Sequence, residues 1–442
     1  MATEKRVTRR QLLGGAAAVG IPYIIPSGVL AQNGRPGAND RIVFGHIGIG
    51  GMGQSHVVAD SCAALCDVDD NKIKSVLDNV KKRNPNANPT IYKDFRQVLE
   101  RKDIDAVTIG TPDHWHAVMT VMACQAGKDV YSEKPTMRTI EEGRAMVNAA
   151  RKYKRVVQIG IQGRSNSEVH KAAEYVRNGG IGKVNKVVFW HPMNFQGQWA
   201  PEIPVPSNLD WEMWLGPMRS RPYTPDYHPF NFRWYMDSGG GFIRDRGNHA
   251  LSSMNLVLDN DNYNGLINVE AVGTVQTDSQ RDAPYMMDVI WEFPKRDITV
   301  TWSQPGVAKP VKAGEKPGEW GATYYGDRDS LVLFGGDGGA TTEEKARSFQ
   351  VPSGGERTHL HPTSHNDATQ RHRENWFDCI KTRERPAGDV EIGRRSCNLC
   401  ILAVIAYRLG RKVSFDASKD QFVNDSEANR LLSEPMRSPW RI

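Results

Sequence analysis

Hydrophobic and polar residues follow two different patterns along the chain, and the change between them falls near residue 165. Before that point, short apolar runs alternate with amphipathic stretches. The predicted strands cover residues 42–47, 63–66, 104–110, 129–132 and 155–162, and the predicted helices cover 116–127 and 139–153. This alternation predicts a parallel sheet with right-handed helical crossovers. Ligands of such sheets bind at the carboxyl ends of the strands.

Beyond residue 165 one predicted helix is followed by longer runs in which apolar and polar residues alternate. The helix covers residues 167–178, and the strands cover 184–191, 267–277, 286–293 and 298–303; two more helices are expected near 365–382 and 391–410. The pattern predicts a mostly antiparallel sheet with helices on one face. The other face of such a sheet often serves self-association, so a homo-dimer or homo-tetramer is expected.

Two segments of this second part have an unusual composition. Residues 304–326 are rich in Gly, Pro and Lys and are expected to form a mobile loop, which could act as a lid. Residues 199–235 are rich in aromatic residues and proline and include Trp211, Trp214 and Trp234. This aromatic tract is either loop packing around irregular backbone or a wall on which a sugar ring stacks, with Trp234 as a substrate contact.

The first residues resemble an export signal. Arg9-Arg10 precede an apolar run that reaches Ile25, and Ala31 follows. This pattern is typical of a twin-arginine signal peptide over residues 1–31, which predicts an exported, periplasmic protein. The run is shorter than the roughly 18 residues that a spanning helix needs, so no stable membrane insertion is expected after processing, although a retained anchor is the alternative. The expected domains are then residues 40–164 and 165–442.

Composition restricts the possible functions. The chain has 442 residues, 39% of them hydrophobic and 24% charged, which is typical of a soluble globular protein. Its net charge of +6 is modest, and the sequence has no basic block interleaved with aromatic residues. A nucleic-acid partner is therefore not expected. The six cysteines, including Cys397 and Cys400, lie in apolar stretches and are expected in the core.

A glycine motif follows the first predicted strand. Gly48, Gly50 and Gly53 form a Gly-x-Gly-x-x-Gly pattern, with Gly51 and Met52 inside it. The first glycine permits a tight turn, the second lets backbone N–H groups approach a pyrophosphate, and the third lets a helix pack closely. A helix starting near Met52 would present its positive end to the anion.

Asp67 follows the next predicted strand, where its carboxylate can accept hydrogen bonds from a ribose diol. A 2′-phosphate would be repelled by Asp67, and Asp69 and Asp70 stand close behind it. The sequence therefore predicts NAD as the cofactor, with NADP disfavoured.

Three further motifs complete a family pattern. They are Thr111-Pro112-Asp113-x-x-His116, Glu133-Lys134-Pro135, and Gly239-Gly240-Gly241 leading to Asp245-x-x-x-His249. Their order and spacing resemble those of the Gfo/Idh/MocA oxidoreductases, and the resemblance covers the whole chain after the signal. It implies an α/β protein with an N-terminal Rossmann domain, a C-terminal α/β domain with a large open-faced sheet, and NAD(P)-linked oxidation or reduction of sugars and cyclitols.

The resemblance implies that Lys134 is the catalytic lysine beside the nicotinamide. Chemistry adds a second group, because removing hydride from a carbinol requires a base for the hydroxyl proton. An imidazole titrates nearer neutral pH than an ammonium group, so His249 is the predicted base. Lys134 then stabilises the developing alkoxide, and Asp245, one helical turn before His249, orients the imidazole or contacts the substrate. The alternative is the reverse assignment, in which Lys134 is the base and His249 stabilises the alkoxide.

Other contacts are expected from the resemblance and from position. Thr111, Pro112 and His116 correspond to the segment lining the nicotinamide, and Glu133 precedes the catalytic lysine. Gln162 and Arg164 lie at the end of the predicted strand 155–162 and just past it, and they are predicted polar contacts to cofactor or substrate. The histidines at 359, 361 and 365 lack acidic or thiol partners at ligand spacing, so no metal is predicted.

Two other functions stay open. Some relatives oxidise a sugar transiently with bound NAD, eliminate its glycosidic substituent and reduce the product, which gives net glycoside cleavage. Those relatives lack the Glu-Lys-Pro lysine, so Lys134 weighs against this reaction. A non-catalytic sugar sensor is the other alternative, against which Lys134, Asp245 and His249 stand together.

Overall fold

The apolar runs of the first part form a parallel sheet with the strand order β3-β2-β1-β4-β5-β6. The computed structural model describes residues 41–306, 319–335 and 340–442, and residues 43–442 form one compact unit. Within the described part, the strands are β1 (Phe44–Ile47), β2 (Cys62–Cys66), β3 (Thr90–Tyr92), β4 (Ala106–Ile109), β5 (Asp129–Ser132) and β6 (Val157–Ile159). This order is that of a Rossmann sheet, in which the connections reverse direction between β1 and β4. The predicted fold of this half is confirmed.

Four α-helices connect these strands. They are α1 (Asp70–Arg83), α2 (Phe95–Glu100), α3 (Asp113–Gln125) and α4 (Ile140–Lys152). The side chain of Asp69 accepts a hydrogen bond from Asn71 N and caps α1. Thr139 and Glu142 form a capping box at the start of α4, so two local sequence signals determine where these helices begin.

The prediction of a crossover helix starting near Met52 is wrong. The glycine motif continues into a short 3₁₀ helix, Gly51–His56, and a second 3₁₀ turn, Ala59–Ser61, leads directly into β2. Because β2 already begins at Cys62, too few residues remain for a full crossover helix. The glycine motif is therefore followed by short 3₁₀ turns rather than by a long helix.

The second part forms a mixed sheet with the order β13-β12-β11-β7-β10-β9-β8-β14-β15. Over the described residues its strands are β7 (Val184–Trp190), β8 (Leu266–Thr274), β9 (Met286–Phe293), β10 (Ile298–Gln304), β11 (Gly321–Gly326), β12 (Ser330–Phe334), β13 (Thr341–Thr342), β14 (Val413–Asp416) and β15 (Gln421–Phe422). Strands β7 and β10 pair in parallel, and the other described pairs are antiparallel. The prediction of a mostly antiparallel sheet is confirmed.

Helices cover one face of this sheet. Those of the second part are α5 (Ser167–Arg177), α6 (Trp211–Leu215), α7 (Phe242–Asp245), α8 (Gly247–Val257), α9 (Glu344–Arg347), α10 (Ala368–Thr382), α11 (Val390–Leu409) and α12 (Ser426–Asn429). Trp291 of β9 is fully buried and donates from Nε1 to Leu399 O of α11 at 3.0 Å. The neighbouring Ile290 and the β8 residue Val272 are exposed, so the opposite face is open.

The loop predicted over residues 304–326 is wrong at its end. Gly321–Gly326 is strand β11, inside the sheet, and Tyr324 is buried. A Cβ at Gly321 would lie 2.7 Å from both the Trp190 ring and Leu333 O, so this glycine permits close packing within a strand. Residues 307–318, where a lid was expected, lie outside the described residues, as does the predicted signal peptide at 1–31.

The sequence predicts that the cysteines lie in the core. All six cysteines are free and buried, and burial raises the pKa of the Cys397 thiol to about 11, so the core positions are confirmed. Among the helices that the structure describes, none has the length and apolarity to cross a bilayer.

Candidate active site

A cavity of about 600 Å³ opens at the carboxyl ends of β1, β2, β4 and β5 and is closed on its other side by α7 and α8. Most of the predicted site residues line it. They are Gly48, Gly50, Gly51, Met52, Asp67, Thr111, Pro112, Glu133, Lys134, Gln162, Asp245 and His249. The two halves of the chain therefore contribute to one cavity, with Lys134 coming from the first half and His249 from the second.

The glycine loop forms the first wall of the cavity. Gly48 has a φ of +70°, which favours glycine, and its N–H donates to Cys66 O at 2.9 Å. A Cβ on Gly53 would lie 1.9 Å from Gly48 O, so this position requires glycine for packing, and Gly53 does not face the cavity. A Cβ on Gly50 would meet nothing nearer than the Lys72 side chain at 3.9 Å, which leaves the backbone there open to a ligand.

Asp67 closes the end of β2 beside this loop. Its Oδ2 accepts from Ile49 N at 2.9 Å and its Oδ1 from Asp69 N at 3.0 Å. Burial raises the pKa of Asp67, and these backbone donors oppose that effect. The carboxylate is therefore attached to the glycine loop itself, at the cavity wall.

The central contact of the site joins Lys134 to Asp245. Lys134 Nζ donates to Asp245 Oδ1 at 2.7 Å and lies 3.3 Å from the Asp245 backbone oxygen. Arg233 Nε is 3.7 Å from the same carboxylate oxygen. Burial disfavours the Asp245 carboxylate, but the charges of Lys134 and Arg233 outweigh it and hold the pKa of Asp245 well below its usual range. Asp245 is thus a fixed anion that positions the lysine ammonium.

The contact with Lys134 gives Asp245 a partner that the sequence did not predict. The sequence suggested that its carboxylate orients His249 or contacts the substrate, whereas its shortest side-chain contact is with Lys134. His249, in the first turn of α8, is 5% exposed and lines the same cavity. Helix α7 ends at Asp245 and α8 begins at Gly247, so His249 follows Asp245 by four residues across this junction.

Glu133 is the centre of a buried polar network behind the lysine. Its Oε1 accepts from His56 Nε2 at 2.8 Å and from Gln162 Nε2 at 3.1 Å, and its Oε2 accepts from Lys134 N at 3.2 Å. Burial opposes ionisation, but the hydrogen bond and charge of His56 and the charge of Lys134 outweigh it and lower the pKa of Glu133 to about 2. The network links the glycine loop's 3₁₀ helix to the backbone of Lys134.

Three predicted contacts lie elsewhere. His116 bridges two backbone oxygens, with Nδ1 2.7 Å from Pro135 O and Nε2 2.9 Å from Thr111 O, so it ties together the segments that line the cavity. Arg164 is paired with Asp261 and donates to Ser252 O, away from the cavity. Trp234 is 1% exposed and packs against Phe242, because its ring lies in the hydrophobic core.

The aromatic tract therefore contacts the cavity through other residues than the tryptophan predicted. His228, Phe230, Phe232 and Arg233 line it, while Trp211 and Trp214 stack on each other inside a small core of their own, with Trp214 reaching the cavity edge. Sequence reasoning identified this tract but not these residues. Lys72 and Lys93 also line the cavity near the glycine loop and were missed, since nothing local distinguishes them from solvated lysines.

Two of the three clustered histidines, His361 and His365, each lie next to one carboxylate. His361 Nε2 lies 3.1 Å from Asp378, and His365 Nε2 lies 2.7 Å from Glu374. Both pairs lie outside the active-site cavity.

The cavity fits a dinucleotide. Thr111 Oγ1 is buried there with no hydrogen-bond partner among the described residues, which leaves a polar group for a ligand to satisfy. Gly50 and Gly51 leave space for phosphate oxygens against the backbone, and Asp67 lies beside this loop, where its carboxylate can meet a ribose.

Comparison with known proteins agrees with this geometry. A profile described as "Oxidoreductase family, NAD-binding Rossmann fold" matches residues 42–161, and its partner, the C-terminal alpha/beta domain, matches residues 166–289 and 351–442. The chain belongs to the Gfo/Idh/MocA oxidoreductase family. The resemblance expected from the three motifs is confirmed, and the first half is an NAD-binding Rossmann domain of this family.

Curated relatives in the Gfo/Idh/MocA family match part of the chain. Levoglucosan dehydrogenase of Pseudarthrobacter phenanthrenivorans is 32% identical over 120 residues, which cover 27% of this chain and 29% of the relative. A glycosyl hydrolase family 109 protein of Shewanella putrefaciens is 28% identical over 169 residues, 36% of this chain and 37% of the relative. The chain thus matches about a third of the length of these relatives.

Solved structures match over most of the chain. An aldose-aldose oxidoreductase from Caulobacter crescentus, complexed with glycerol, has a TM-score of 0.57 at 20% identity and covers 84% of this chain and 99% of its own. A levoglucosan dehydrogenase in complex with NADH and levoglucosan has a TM-score of 0.56 at 17% identity and covers 86% and 98%. These similarities show a shared fold.

Proposed function

We propose that this protein transfers hydride between a hydroxyl-bearing carbon of a carbohydrate and NAD. The observation that carries the proposal is the position of Lys134, Asp245 and His249 on the same cavity as the glycine loop. An ammonium, an imidazole and a dinucleotide site on one cavity are the groups that alcohol oxidation requires.

The side chains have distinct tasks in this reaction. The nicotinamide, when bound, supplies the hydride acceptor or donor. His249 takes the hydroxyl proton, since an imidazole exchanges protons near neutral pH. Lys134 donates a hydrogen bond to the substrate oxygen and stabilises the negative charge that develops there. Asp245 holds the Lys134 ammonium in place through their hydrogen bond, which makes it a positioning residue.

The substrate class is supported by the relatives. Family members of similar fold have been solved with levoglucosan, L-sorbose and glycerol, and one is a putative myo-inositol dehydrogenase. All of these compounds are polyols or sugars. We therefore assign the substrate to sugars, glycosides or cyclitols.

A second candidate reaction is favoured by one observation. The Shewanella relatives are named as glycosyl hydrolase family 109 proteins, so a redox-neutral cleavage of a glycoside is the alternative on the same fold. Relatives that cleave glycosides in this way are expected to lack the lysine of the Glu-Lys-Pro motif. This chain has that lysine, Lys134, which weighs against the cleavage reaction. We favour the dehydrogenase.

We also propose that the protein is exported by the twin-arginine route. The support is the Arg9-Arg10 pair, the apolar run after it and Ala31, all in the sequence. Since the twin-arginine route carries folded proteins and free NAD should be scarce outside, we infer that the cofactor leaves the cytoplasm already bound and is regenerated in place. Fractionation of cells carrying Arg9→Lys together with Arg10→Lys tests the route: the double variant should stay in the cytoplasm, and normal export would contradict it.

We further propose self-association through the open face of the second sheet. The exposed apolar side chains of Val272 and Ile290 on that face support it. Light scattering should find a dimer or tetramer that Val272→Lys dissociates, and a monomeric parent protein would contradict the proposal.

One assay separates the candidate reactions. Purified protein is incubated with NAD and a panel of sugars, cyclitols and aryl glycosides, and NADH absorbance and released aglycone are followed separately. The dehydrogenase gives stable NADH. Aglycone without net NADH would identify the redox-neutral reaction, and binding without either product would identify a sensor.

A further inference from the structure

Two exposed phenylalanines lie near the active-site cavity: Phe230 is part of its lining, and Phe195 lies outside the lining. Phe195 and Phe230 are 56% and 51% exposed, although both rings touch buried Trp234, with ring centroids 5.3 Å and 6.3 Å from it. The two phenyl rings therefore extend the apolar surface of the core outward from the cavity into solvent.

The backbone that carries Phe195 is held firmly. Arg281 Nη1 donates to Phe195 O and Gln196 O, each at 2.8 Å, and the same guanidinium is paired with Asp226. The preceding residue, Asn194, accepts from Phe242 N at 2.8 Å and donates to Pro284 O at 2.6 Å. Phe195 is thus a preorganised ring on rigid backbone.

The contacts of these two phenylalanines with Trp234, Phe242 and Arg233 do not account for the half of each ring that stays exposed. Leaving two large apolar side chains half in water forgoes the free energy that burial would supply. Rigid, exposed aromatic rings beside a cavity are what a binding surface for another ring requires, because little conformational entropy is lost when they bind.

The pair is also coupled to the reacting groups. The guanidinium of Arg233 lies over the Phe230 ring, 4.4 Å from its centroid, while its Nε faces Asp245 at 3.7 Å. Phe195 contacts Phe242, with ring centroids 5.6 Å apart, and Phe242 is the first residue of α7, the helix that ends at Asp245. A molecule whose reacting hydroxyl meets Lys134 can therefore extend its far end over Phe230 toward Phe195.

We infer that Phe195 and Phe230 form a second subsite, which binds the apolar face of a ring attached to the oxidised sugar. The inference rests on the proposed carbohydrate oxidation and narrows its substrate to a glycoside, in preference to a free monosaccharide. The shared chemistry is a flat ring face, which an aromatic aglycone and a second pyranose both offer.

Calorimetry on the NAD-loaded protein tests the subsite by binding alone. The probes are methyl and phenyl glycosides of glucose and galactose, with cellobiose and lactose as the two-sugar arm. The parent protein should bind a phenyl glycoside or a disaccharide about tenfold more tightly than the matching methyl glycoside. A preference for the phenyl arm alone identifies an aryl glycoside, and one for the disaccharide alone identifies a second sugar.

Variants locate the effect. Phe195→Ala should abolish the preference for the larger ligand and keep the affinity for the methyl glycoside, and Phe195→Tyr should restore the preference. Val423→Ala is the control, because Val423 is 42% exposed and lies outside the cavity. The inference is overturned if the parent protein binds methyl glycosides as tightly as the larger ligands, or if Phe195→Ala weakens all ligands equally.

Two further outcomes separate this inference from other accounts. A loss of oligomers in Phe195→Ala, seen by light scattering, together with unchanged ligand preference would assign the pair to self-association and overturn the subsite. If no probe yields NADH but the phenyl or disaccharide preference persists and depends on Phe195, the proposed oxidation fails and the subsite stands.

Discussion

Lys134 Nζ lies 2.7 Å from Asp245 Oδ1, across 111 residues of sequence and between the two sheets of the protein. The side chains of these residues are only 17% and 14% exposed. An ion pair so placed holds one charged donor at the cavity where the two halves of the chain meet, and it makes the position of the lysine depend on the second half.

Replacing Lys134 by alanine should reduce turnover at least about a hundredfold, because a charged hydrogen-bond donor at the reacting oxygen is lost. NAD binding should be kept, since the glycine loop and Asp67 are unchanged. Steady-state rates and cofactor content check both parts. A Lys134→Ala protein with near-normal turnover would remove the lysine from the mechanism.

His249→Ala should cause a similar loss, of about a hundredfold or more, if the imidazole takes the hydroxyl proton. Added imidazole should then restore part of the rate in the alanine variant but not in the parent protein, because a small base can enter the space that the side chain leaves. Rates measured against imidazole concentration decide the point. An unimpaired variant would assign the base role to another group.

The buried Glu133 should make stability depend on pH. Its pKa is lowered to about 2 from a model-compound value of 4.5, so the unfolded chain binds a proton at higher pH than the folded chain. The stabilisation is present above about pH 4.5 and is lost as pH falls toward 2, by about 3 kcal/mol in all. Urea unfolding at pH 6 and pH 3 should show a difference between parent and Glu133→Gln that shrinks at pH 3; a constant difference would contradict the account.

Asp67→Ser should shift cofactor preference toward NADP. The carboxylate repels a 2′-phosphate, and serine removes that charge while keeping a hydrogen-bonding group. The ratio of kcat/KM for NADP to that for NAD should rise about tenfold or more. The matched variant Asp70→Ser, at the start of α1 and outside the cavity wall, should change the ratio little. Equal ratios in both variants would contradict the assignment of Asp67.

The glycines of the loop should respond differently to alanine. At Gly53 a Cβ would collide with Gly48 O, so Gly53→Ala should lower the free energy of unfolding by about 1–3 kcal/mol or more. At Gly50 the space is open and φ is −77°, so Gly50→Ala should keep stability and weaken NAD binding. Thermal unfolding and NAD titration distinguish the two; equal destabilisation would contradict the roles assigned.

Five of the six strands of the Rossmann half were predicted, because each is a short apolar run next to a glycine or an acid, and these signals are local. Strand β3 was missed because it has three residues and its apolar residue, Ile91, is exposed. The carboxyl ends of the five predicted strands also determined where Gly48, Asp67, Thr111 and Lys134 would converge. Strand β11 was missed because its glycines are typical of loops, although Gly321 is needed for close packing on Trp190.

Side-chain partners were harder to predict than strands. The pairing of Asp245 with Lys134 could not be predicted, because the two residues are 111 positions apart and only the fold brings them together. Trp234 and Phe230 belong to one aromatic tract, and only the three-dimensional packing decides that the tryptophan is buried and the phenylalanine faces the cavity. Arg164 forms an ion pair with Asp261, which is 97 residues away in the sequence, so this partner could not be predicted either.

The central claim is hydride transfer at the cavity shared by Lys134 and His249, and its most direct test follows an isotope through one turnover. A sugar or glycoside that yields NADH is prepared with deuterium at the oxidised carbon and mixed with the NAD-loaded protein. The account predicts slowed NADH formation and recovery of the deuterium at C4 of the nicotinamide, and in Lys134→Ala the same transfer should be at least about a hundredfold slower. Deuterium released to solvent, or an unchanged transfer in the variant, would contradict it.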